Sequence, residues 1–403
     1  MQLRLRWLRP RGFAPANLNG MFRFRRERVL PSAPMIRRIL PSLAVLALAA
    51  CAGVPQKPTP VLVPEPLPPP AAPAPAEAPR DISAARAEFV RSTAQRFGIA
   101  AADIEAVLAG AQIRDAIVKA MSRPAEAKPW RDYRPIFIQP ARIDGGRAFL
   151  EANRAALQRA EDSYGVPKEI VTAILGVETS YGGNKGSWPV VDALYTLAFA
   201  YPRSGDPARV AYEDRREAFF RDELAQLFAL GKEEGLDIST LKGSYAGAMG
   251  WGQFMPSSYR QYAVDGDGDG RRDLFDNLDD VIASVANYFA QKGKWQRSGP
   301  VMERAVRDAA AQDFANPGNA VTLDQSVGAL AALGYRAADP VAVLHLDGGQ
   351  PVTLITLEGA AGPEYWIVYN NFKAITTYNI SRLYATAVYQ LAQAIAGREV
   401  DGA

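Results

Sequence analysis

The spacing of hydrophobic residues predicts a mainly helical fold for the chain from Asp81 onward. Apolar residues that recur at intervals of three and four positions are typical of amphipathic helices. The stretches with this pattern are AARAEFVRSTAQRFGI, AADIEAVLAGAQ, GGRAFLEANRAALQRAEDSYGVP, VVDALYTLAFAYP, REAFFRDELAQLFALGKEEGLD, DVIASVANYFAQKG and SRLYATAVYQLAQAIAG. A polar and aromatic connection, KPWRDYRPIFIQPARIDGG, precedes the third of them. Glycine is expected to end helices at Gly98, Gly235 and Gly293.

A second pattern, near the end of the chain, predicts strands. Residues 341–369 alternate in polarity and are rich in Val, Thr, Tyr and Trp. This composition indicates a small antiparallel sheet, with a turn expected at Asp347-Gly348-Gly349. The expected fold class is therefore mainly α (α+β), with a helical core, accessory helices and a small antiparallel β element.

One charged residue interrupts the apolar face of a predicted helix. Val171, Ile174, Leu175 and Glu178 are spaced as one helical stripe that follows Pro167. Burial of a carboxyl group favours its protonated form, and a protonated acid facing a cleft suits general acid catalysis. The alternative is a structural acid that caps a helix N-terminus or pairs with a nearby arginine.

The N-terminal region has the composition of an export signal. Residues 35–51, MIRRILPSLAVLALAAC, contain two arginines, a short apolar stretch and then Cys51, the only cysteine. The last four residues resemble a bacterial lipobox, which predicts lipidation of Cys51. An ordinary cleaved signal or a membrane anchor is the alternative. We therefore expect residues 1–50 to be a signal region, with the true start at Met35 or Met21. Residues 51–80 would be the lipidated cysteine and a proline-rich tether.

Removal of the signal region reverses the sign of the net charge. Residues 1–50 hold ten of the 46 Lys+Arg and one of the 43 Asp+Glu, so the remainder has 36 basic and 42 acidic residues, a charge of −6. Nothing in this balance favours a nucleic-acid partner. A single histidine, His345, argues against a Ser-His-Asp triad or a histidine-based metal site.

Small residues alternate with polar and aromatic ones in KGSYAGAMGWGQFMPSSY, residues 242–259. Small residues allow close approach of the backbone to a ligand, while hydroxyls, amides and rings are the groups that bind sugars. A glycine-packed helix crossing is the alternative. A later stretch, YNNFKAITTYN, offers further amides and rings. The candidate saccharide contacts are Ser244, Tyr245, Trp251, Gln253, Tyr259, Tyr288, Asn371 and Tyr378.

The stretch DGDGDGRRDLFDNLDD, residues 265–280, resembles an EF-hand loop. Asp265, Asp267 and Asp269 stand at loop positions 1, 3 and 5, the Arg271 carbonyl at 7 and Asp276 at 12. Because Asp is shorter than the usual closing Glu, Asp279 or Asp280 is an alternative closing ligand. The prediction is a structural calcium ion, and the alternative is a solvated acidic turn.

The order of these motifs resembles the lytic murein transglycosylase B family, glycoside hydrolase family 103. The resemblance rests on ILGVETSYG, DALYTLAFAYPR, LKGSYAGAMGWGQFMPSSYRQYAVDGDGDG, SVANYF and YNNFKAITTYN, and covers most of residues 85–397. It implies a lysozyme-like core with an EF-hand-like calcium loop. Residues 81–310 would form the helical catalytic region, and residues 311–403 a β element and C-terminal helix.

The resemblance also implies an activity and site residues. The expected reaction cleaves the β-1,4 bond between N-acetylmuramic acid (MurNAc) and N-acetylglucosamine (GlcNAc) in peptidoglycan and leaves a 1,6-anhydro end. The catalytic acid of the family falls on Glu178, and two saccharide contacts fall on Ser244 and Gln253. Trp251 replaces the tyrosine of some members, which keeps a stacking role but loses a hydroxyl.

Two rival functions remain open from the sequence. A muramidase that uses water would need a second acid, for which Asp192 is the nearby candidate. A non-catalytic peptidoglycan-binding lipoprotein that recruits other cell-wall enzymes is the second rival. In each case the expected partners are glycan strands and, through a lipid anchor, the membrane. The expected location is the periplasmic face of the outer membrane.

Overall fold

The computed structural model describes residues 81–122, 128–315, 319, 321–339 and 349–400. The predicted signal region, the lipidation site Cys51, the tether and His345 lie outside these residues. Among the residues described there are fourteen α-helices: α1 (Ser83–Phe97), α2 (Ala101–Gly110), α3 (Asp115–Met121), α4 (Trp130–Phe137), α5 (Pro140–Ala152), α6 (Arg154–Tyr164), α7 (Lys168–Thr179), α8 (Val190–Phe199), α9 (Val210–Glu234), α10 (Pro256–Tyr262), α11 (Leu278–Gln291), α12 (Val327–Ala332), α13 (Asn370–Thr376) and α14 (Arg382–Ile395).

Six short strands complete the fold in this part of the chain: β1 (Trp188–Pro189), β2 (Lys242–Gly243), β3 (Met302–Arg307), β4 (Tyr335–Ala337), β5 (Thr353–Gly359) and β6 (Gly362–Val368). β1 and β2 form a two-stranded antiparallel ribbon, and the other four form an antiparallel sheet in the order β4-β3-β6-β5. The mainly helical fold class predicted from the sequence is confirmed.

Helix α7 lies at the centre of the helical part and packs against α5, α6, α11 and α14. Val171, Ile174 and Leu175 of its predicted stripe are almost completely buried. The apolar spacing in the sequence therefore identified the buried face of this helix correctly, and that face leads directly to Glu178 in its last turn.

The predicted long helix over GGRAFLEANRAALQRAEDSYGVP is interrupted. It divides at Asn153, which lies between α5 and α6 with φ −114° and ψ 23°. The Asn153 side-chain amide donates to the Phe149 carbonyl at 2.9 Å, and this local bond competes with continuation of the helix. The segment expected to be a polar connection also differs from the prediction, because it forms α4 and the first half of α5.

The sheet differs from its prediction in its turn and its extent. The hairpin turn lies at Ala360-Ala361, between the paired residues Gly359 and Gly362. Of the predicted turn, only Gly349 belongs to the residues described. The central strand β3 comes from residues that were assigned to the helical region, so the sheet begins earlier in the chain than expected.

Glycine ends two helices as predicted. Gly98 after α1 and Gly235 after α9 are in the left-handed conformation that favours glycine. At the third site, α11 ends at Gln291, two residues before Gly293. Within the ranges described, no helix is both long and apolar enough to cross a bilayer.

Candidate active site

Glu178 lies in the last turn of α7 and is half-buried. Its Oε1 atom accepts a hydrogen bond of 2.5 Å from the hydroxyl of Tyr384. Tyr384 is 3% exposed and lies in the first turn of α14, where the side chain of Ser381 caps the helix by accepting from the Tyr384 backbone N–H. The contact between α7 and α14 therefore fixes the position of the carboxyl group.

Burial controls the protonation of this carboxyl group. Removal from water raises the pKa of Glu178 to about 7, while the hydrogen bond from Tyr384 acts in the opposite direction. The pKa values of the Tyr378 and Tyr384 phenols are raised well above their usual range, because both are buried and close to the Glu178 charge. Both phenols therefore remain protonated donors, and Glu178 carries its proton about half of the time near pH 7.

Two hydrogen bonds hold the predicted sugar-binding segment, one from the end of the Glu178 helix and one from Tyr378, which follows α13. The Thr179 hydroxyl, one residue after Glu178, donates to the Trp251 carbonyl at 3.0 Å. The Tyr378 hydroxyl donates to the Gly252 carbonyl at 2.5 Å. These bonds bring segment 250–254 and Tyr378 together beside the end of α7, the helix that carries Glu178.

Four of the candidate saccharide contacts keep partly accessible side chains in this segment. Tyr245 is 38% exposed. Ser244 is half-buried, and its hydroxyl accepts from the Ala248 backbone N–H at 3.1 Å. Gln253 adopts a left-handed backbone with φ 51°, and its amide donates to the carbonyls of Lys185 and Gly250. These contacts orient the side chains in advance of any ligand.

The indole of Trp251, the fourth of these residues, has a structural contact in addition to its half-exposed surface. Its Nε1 atom donates to the Phe275 carbonyl at 3.0 Å. A Cβ atom on Gly182 would lie only 2.4 Å from the indole, so the ring packs directly on that glycine backbone. One side of the ring is thus covered by protein, and stacking on a sugar is restricted to the remainder.

Three of the predicted saccharide contacts have side chains that are buried and bonded to the protein. Tyr259 is 0% exposed, and its hydroxyl donates to the Arg272 carbonyl and accepts from Leu274 N–H. Asn371 is also 0% exposed and bonds the backbone of Gln296 and Gly299 through its amide. Tyr288 is 7% exposed and donates to the Thr377 carbonyl.

Tyr288 instead supports the site from beneath. Its ring contacts those of Phe254 and Tyr378, with centroids 5.7 and 4.8 Å away. Because Tyr378 borders Glu178, this aromatic cluster connects α11 to the candidate active site through side-chain packing. Burial of this kind is a tertiary property, which the local sequence pattern does not reveal.

The acidic loop gathers a different set of carboxylates from the one predicted. Oxygens of Asp265, Asp267 and Asp280 all lie within 4.8 Å of one another. Asp269 lies outside this group and accepts the backbone N–H of Arg271 at 2.8 Å.

Asp276, the predicted closing ligand, is not part of this group of carboxylates. Its side chain is 85% exposed and lies 4.0 Å from the Lys185 ammonium. The alternative Asp280 belongs to the group: it is 0% exposed, and its two oxygens accept from the backbone N–H groups of Gly266 and Asp273. The first turn of α11 therefore brings a third carboxylate close to those of Asp265 and Asp267.

The second acid that a water-using hydrolase would need is not supplied by Asp192. Its carboxylate accepts from the backbone N–H of Gln112 at 2.9 Å and pairs with the Arg114 guanidinium at 2.7 Å. Asp192 is 5% exposed, so it ties α8 to the segment before α3 and is not poised at a cleft.

Sequence reasoning missed Tyr384 as a site residue. It is separated from Glu178 by 206 positions and belongs to a helix whose pattern only indicated packing. The one local signal for Tyr384 is that the helical pattern of α14 places its phenol at a buried position. A buried hydroxyl requires a hydrogen-bond partner.

A helical core that holds a half-buried, protonatable glutamate beside a rim of amides, hydroxyls and rings is typical of the lysozyme-like class of glycan-cleaving enzymes. The sequence profile described as "Transglycosylase SLT domain" matches residues 81–393. The chain is 38% identical over 321 residues to Membrane-bound lytic murein transglycosylase B of Escherichia coli K12, covering 77% of this chain and 82% of that protein.

Two solved structures are similar along most of their length. Soluble lytic transglycosylase SltB1 of Pseudomonas aeruginosa is 42% identical, with a TM-score of 0.67 and coverage of 77% of this chain and 98% of that chain. Lytic transglycosylase Slt35 of Escherichia coli, solved in complex with calcium, is 36% identical, with a TM-score of 0.66 and coverage of 77% and 92%. The chain belongs to the lytic murein transglycosylase B family, and it is an enzyme that cleaves peptidoglycan by transglycosylation.

Proposed function

We propose that Glu178 is both the acid and the base of this reaction, acting on the β-1,4 bond between MurNAc and GlcNAc. The observation that carries the proposal is the half-buried Glu178 carboxyl group, with its pKa raised to about 7 and its orientation set by Tyr384. A carboxyl group of this kind has both protonation states available near neutral pH, which general acid–base catalysis requires.

The reaction balances with one carboxyl group. Protonated Glu178 gives its proton to the glycosidic oxygen, and the bond from that oxygen to the MurNAc anomeric carbon breaks. The C6 hydroxyl oxygen of the same MurNAc then bonds to the anomeric carbon, and its proton returns to the Glu178 carboxylate. No water is consumed, so the enzyme regains its acid form and the product is a 1,6-anhydro sugar.

The residues around Glu178 would stabilise its charged form and bind the saccharide. Tyr384 stabilises the carboxylate in the interval when it lacks a proton, because its hydrogen bond favours the charged form. Ser244, Tyr245 and Gln253 have partly accessible side chains and are proposed saccharide contacts, as are Trp251 and Tyr378 at the edge of the site.

The products of digestion test the proposal. The soluble part, residues 52–403, is incubated with purified peptidoglycan, and the released fragments are weighed by mass spectrometry. We expect fragments lighter by one water than hydrolysis products, and a Glu178→Gln variant that folds but releases almost none. Fragments with hydrated reducing ends would indicate a muramidase, and binding without release would indicate a scaffold protein.

We also propose that Asp265, Asp267 and Asp280 hold a structural calcium ion. Calcium prefers oxygen ligands of this type. Burial and the charges of Asp265 and Asp267 raise the pKa of Asp280, and a bound cation would relieve that repulsion. The relative Slt35 has been solved with calcium. The ion would link the acidic loop to the start of α11, and the carbonyl of Arg271 remains a proposed further ligand.

We further propose that Cys51 carries a lipid that anchors the enzyme to the periplasmic face of the outer membrane. The curated relative is described as membrane-bound, and the lipobox-like sequence ending at Cys51 offers a chemical basis for such an attachment. A Cys51→Ser variant should leave the membrane fraction and appear in the soluble periplasmic fraction. Retention of that variant in outer membranes would contradict the proposal.

A further inference from the structure

One residue of a neighbouring helix contacts the chain on both sides of Glu178. Arg142, near the start of α5, donates a guanidinium hydrogen bond to the backbone carbonyl of Gly176. The Tyr181 hydroxyl donates to the backbone carbonyl of Arg142 at 2.8 Å. Gly176 comes shortly before Glu178 in the chain and Tyr181 shortly after it, so these two bonds enclose the segment that carries the acid.

The Tyr181 side chain fits closely between α5 and α7. Its ring stacks on Phe149, with the centroids 5.7 Å apart. A Cβ atom on Gly145, Gly146 or Gly176 would lie 3.1, 2.5 or 2.6 Å from atoms of Tyr181. Glycine at these three positions therefore leaves the space that the ring occupies.

The backbone after Glu178 needs to be held in place. Ser180 and Tyr181 both have left-handed conformations, with φ 51° and 58°, although neither is glycine. Such conformations are unfavourable for residues with a Cβ atom and persist where the surroundings hold them. Glu178 lies in the last turn of α7, which is closed by hydrogen bonds from the backbone N–H groups of Ser180 and Tyr181 to the carbonyls of Gly176 and Leu175. Because this closing turn depends on the two left-handed residues, contacts that hold those residues also hold the carboxyl group in place.

We infer that Arg142 and Tyr181 are positioning residues that hold the Glu178 carboxyl group where it can reach the glycosidic oxygen. The inference rests on the proposed catalytic role of Glu178. Neither residue needs to touch the substrate, so their contribution should appear in the chemical step. Displacement of a catalytic group by about 1 Å can reduce a rate by about 100-fold.

The test removes one hydrogen bond and keeps the packing. Tyr181→Phe deletes the hydroxyl but retains the ring, and kcat and KM are measured with soluble uncrosslinked glycan strands. The matched control is Tyr335→Phe, which removes a buried hydroxyl that donates to the Gln312 carbonyl at 2.7 Å in the separate core of the β element. We expect Tyr181→Phe to lower kcat by about tenfold or more with KM nearly unchanged, while Tyr335→Phe keeps both constants.

Changes at Arg142 and Glu178 complete the test. Arg142→Met should lower kcat as Tyr181→Phe does, and Arg142→Lys, which keeps a donor, should restore part of it. A folded Tyr181→Phe variant with unchanged kcat, or with a change in KM alone, would overturn the positioning role. If Glu178→Gln itself remained active, the proposed function would fail instead, so the two failures are distinguishable.

Discussion

Replacement of Glu178 by Gln should make the protein more stable, and increasingly so as the pH rises. In the unfolded chain the carboxyl group ionises with its ordinary pKa of 4.5, whereas in the fold its pKa is about 7. A raised pKa of a carboxyl group means that the fold favours the protonated form. Below the unfolded pKa there is no penalty, and stability is lost progressively as the pH rises through the interval between the two values.

The size of the effect follows from these two pKa values. For a single group, the cost of folding with an ionisable carboxyl is about 1 kcal/mol near pH 5 and about 3 kcal/mol near pH 7. A glutamine side chain does not ionise, so it adds no such cost to folding. The advantage of the Glu178→Gln variant over the natural protein should therefore grow by about 2 kcal/mol between these two pH values.

Urea unfolding at several pH values measures this difference. Any fixed cost of the amide, such as an unsatisfied N–H beside Tyr384, is the same at every pH and cancels from the comparison. Glu169→Gln, in the first turn of the same helix, controls for the loss of one negative charge. A stability difference that stays constant from pH 5 to 7 would refute the claim that burial keeps Glu178 protonated.

Three further outcomes are expected. Tyr384→Phe removes the hydrogen bond that lowers the pKa of Glu178, so the alkaline limb of the kcat/KM profile should move up by about one pH unit; a downward move would contradict this. Asn371→Ala should lower the free energy of unfolding by about 2–3 kcal/mol and leave KM for glycan unchanged in the folded protein, because the amide bonds backbone groups. A raised KM would instead indicate that Asn371 contacts the sugar, as its sequence motif predicted. Asp267→Asn should weaken calcium binding and its stabilisation against heat, measured by calorimetry, while the matched change Asp276→Asn should not; equal effects would reject the carboxylate group assigned here.

The helices were the most predictable part of the molecule, because periodicity records which residues face the core. The spacing of Val171, Ile174 and Leu175 identified the buried face of α7 and placed Glu178 at its end. The break at Asn153 was missed, since its side-chain bond to the Phe149 carbonyl is one of several conformations open to asparagine. A side-chain bond of this kind, which competes with the helical backbone bonds, changes where a helix ends but leaves the overall fold unchanged.

The candidate site was predictable only in part, because its assembly depends on contacts distant in sequence. The motifs predicted an acid, Glu178, and a loop rich in small and polar residues, and the structure places the two next to each other. They did not distinguish Gln253, which remains partly accessible, from Asn371, which is buried and bonded to backbone. They also gave no indication of Tyr384, whose importance arises from its contact with Glu178 across 206 positions. Residue type suggests possible chemistry, and burial decides which residues can carry it out.

The same burial that makes Glu178 useful makes it costly to the fold. A penalty of about 3 kcal/mol at neutral pH is a sizeable fraction of the stability of an ordinary domain, so the surrounding structure must compensate for it. Glu178 is half-buried where the packing of α5 and α14 on α7 is close, and Tyr384 and Tyr378 border the acid with phenols that stay protonated. A reaction that takes its nucleophile from the substrate needs no second carboxylate. Because a second negative charge near Glu178 would raise its pKa further and keep it from acting as a base, a single acid among neutral donors is the arrangement that suits both steps.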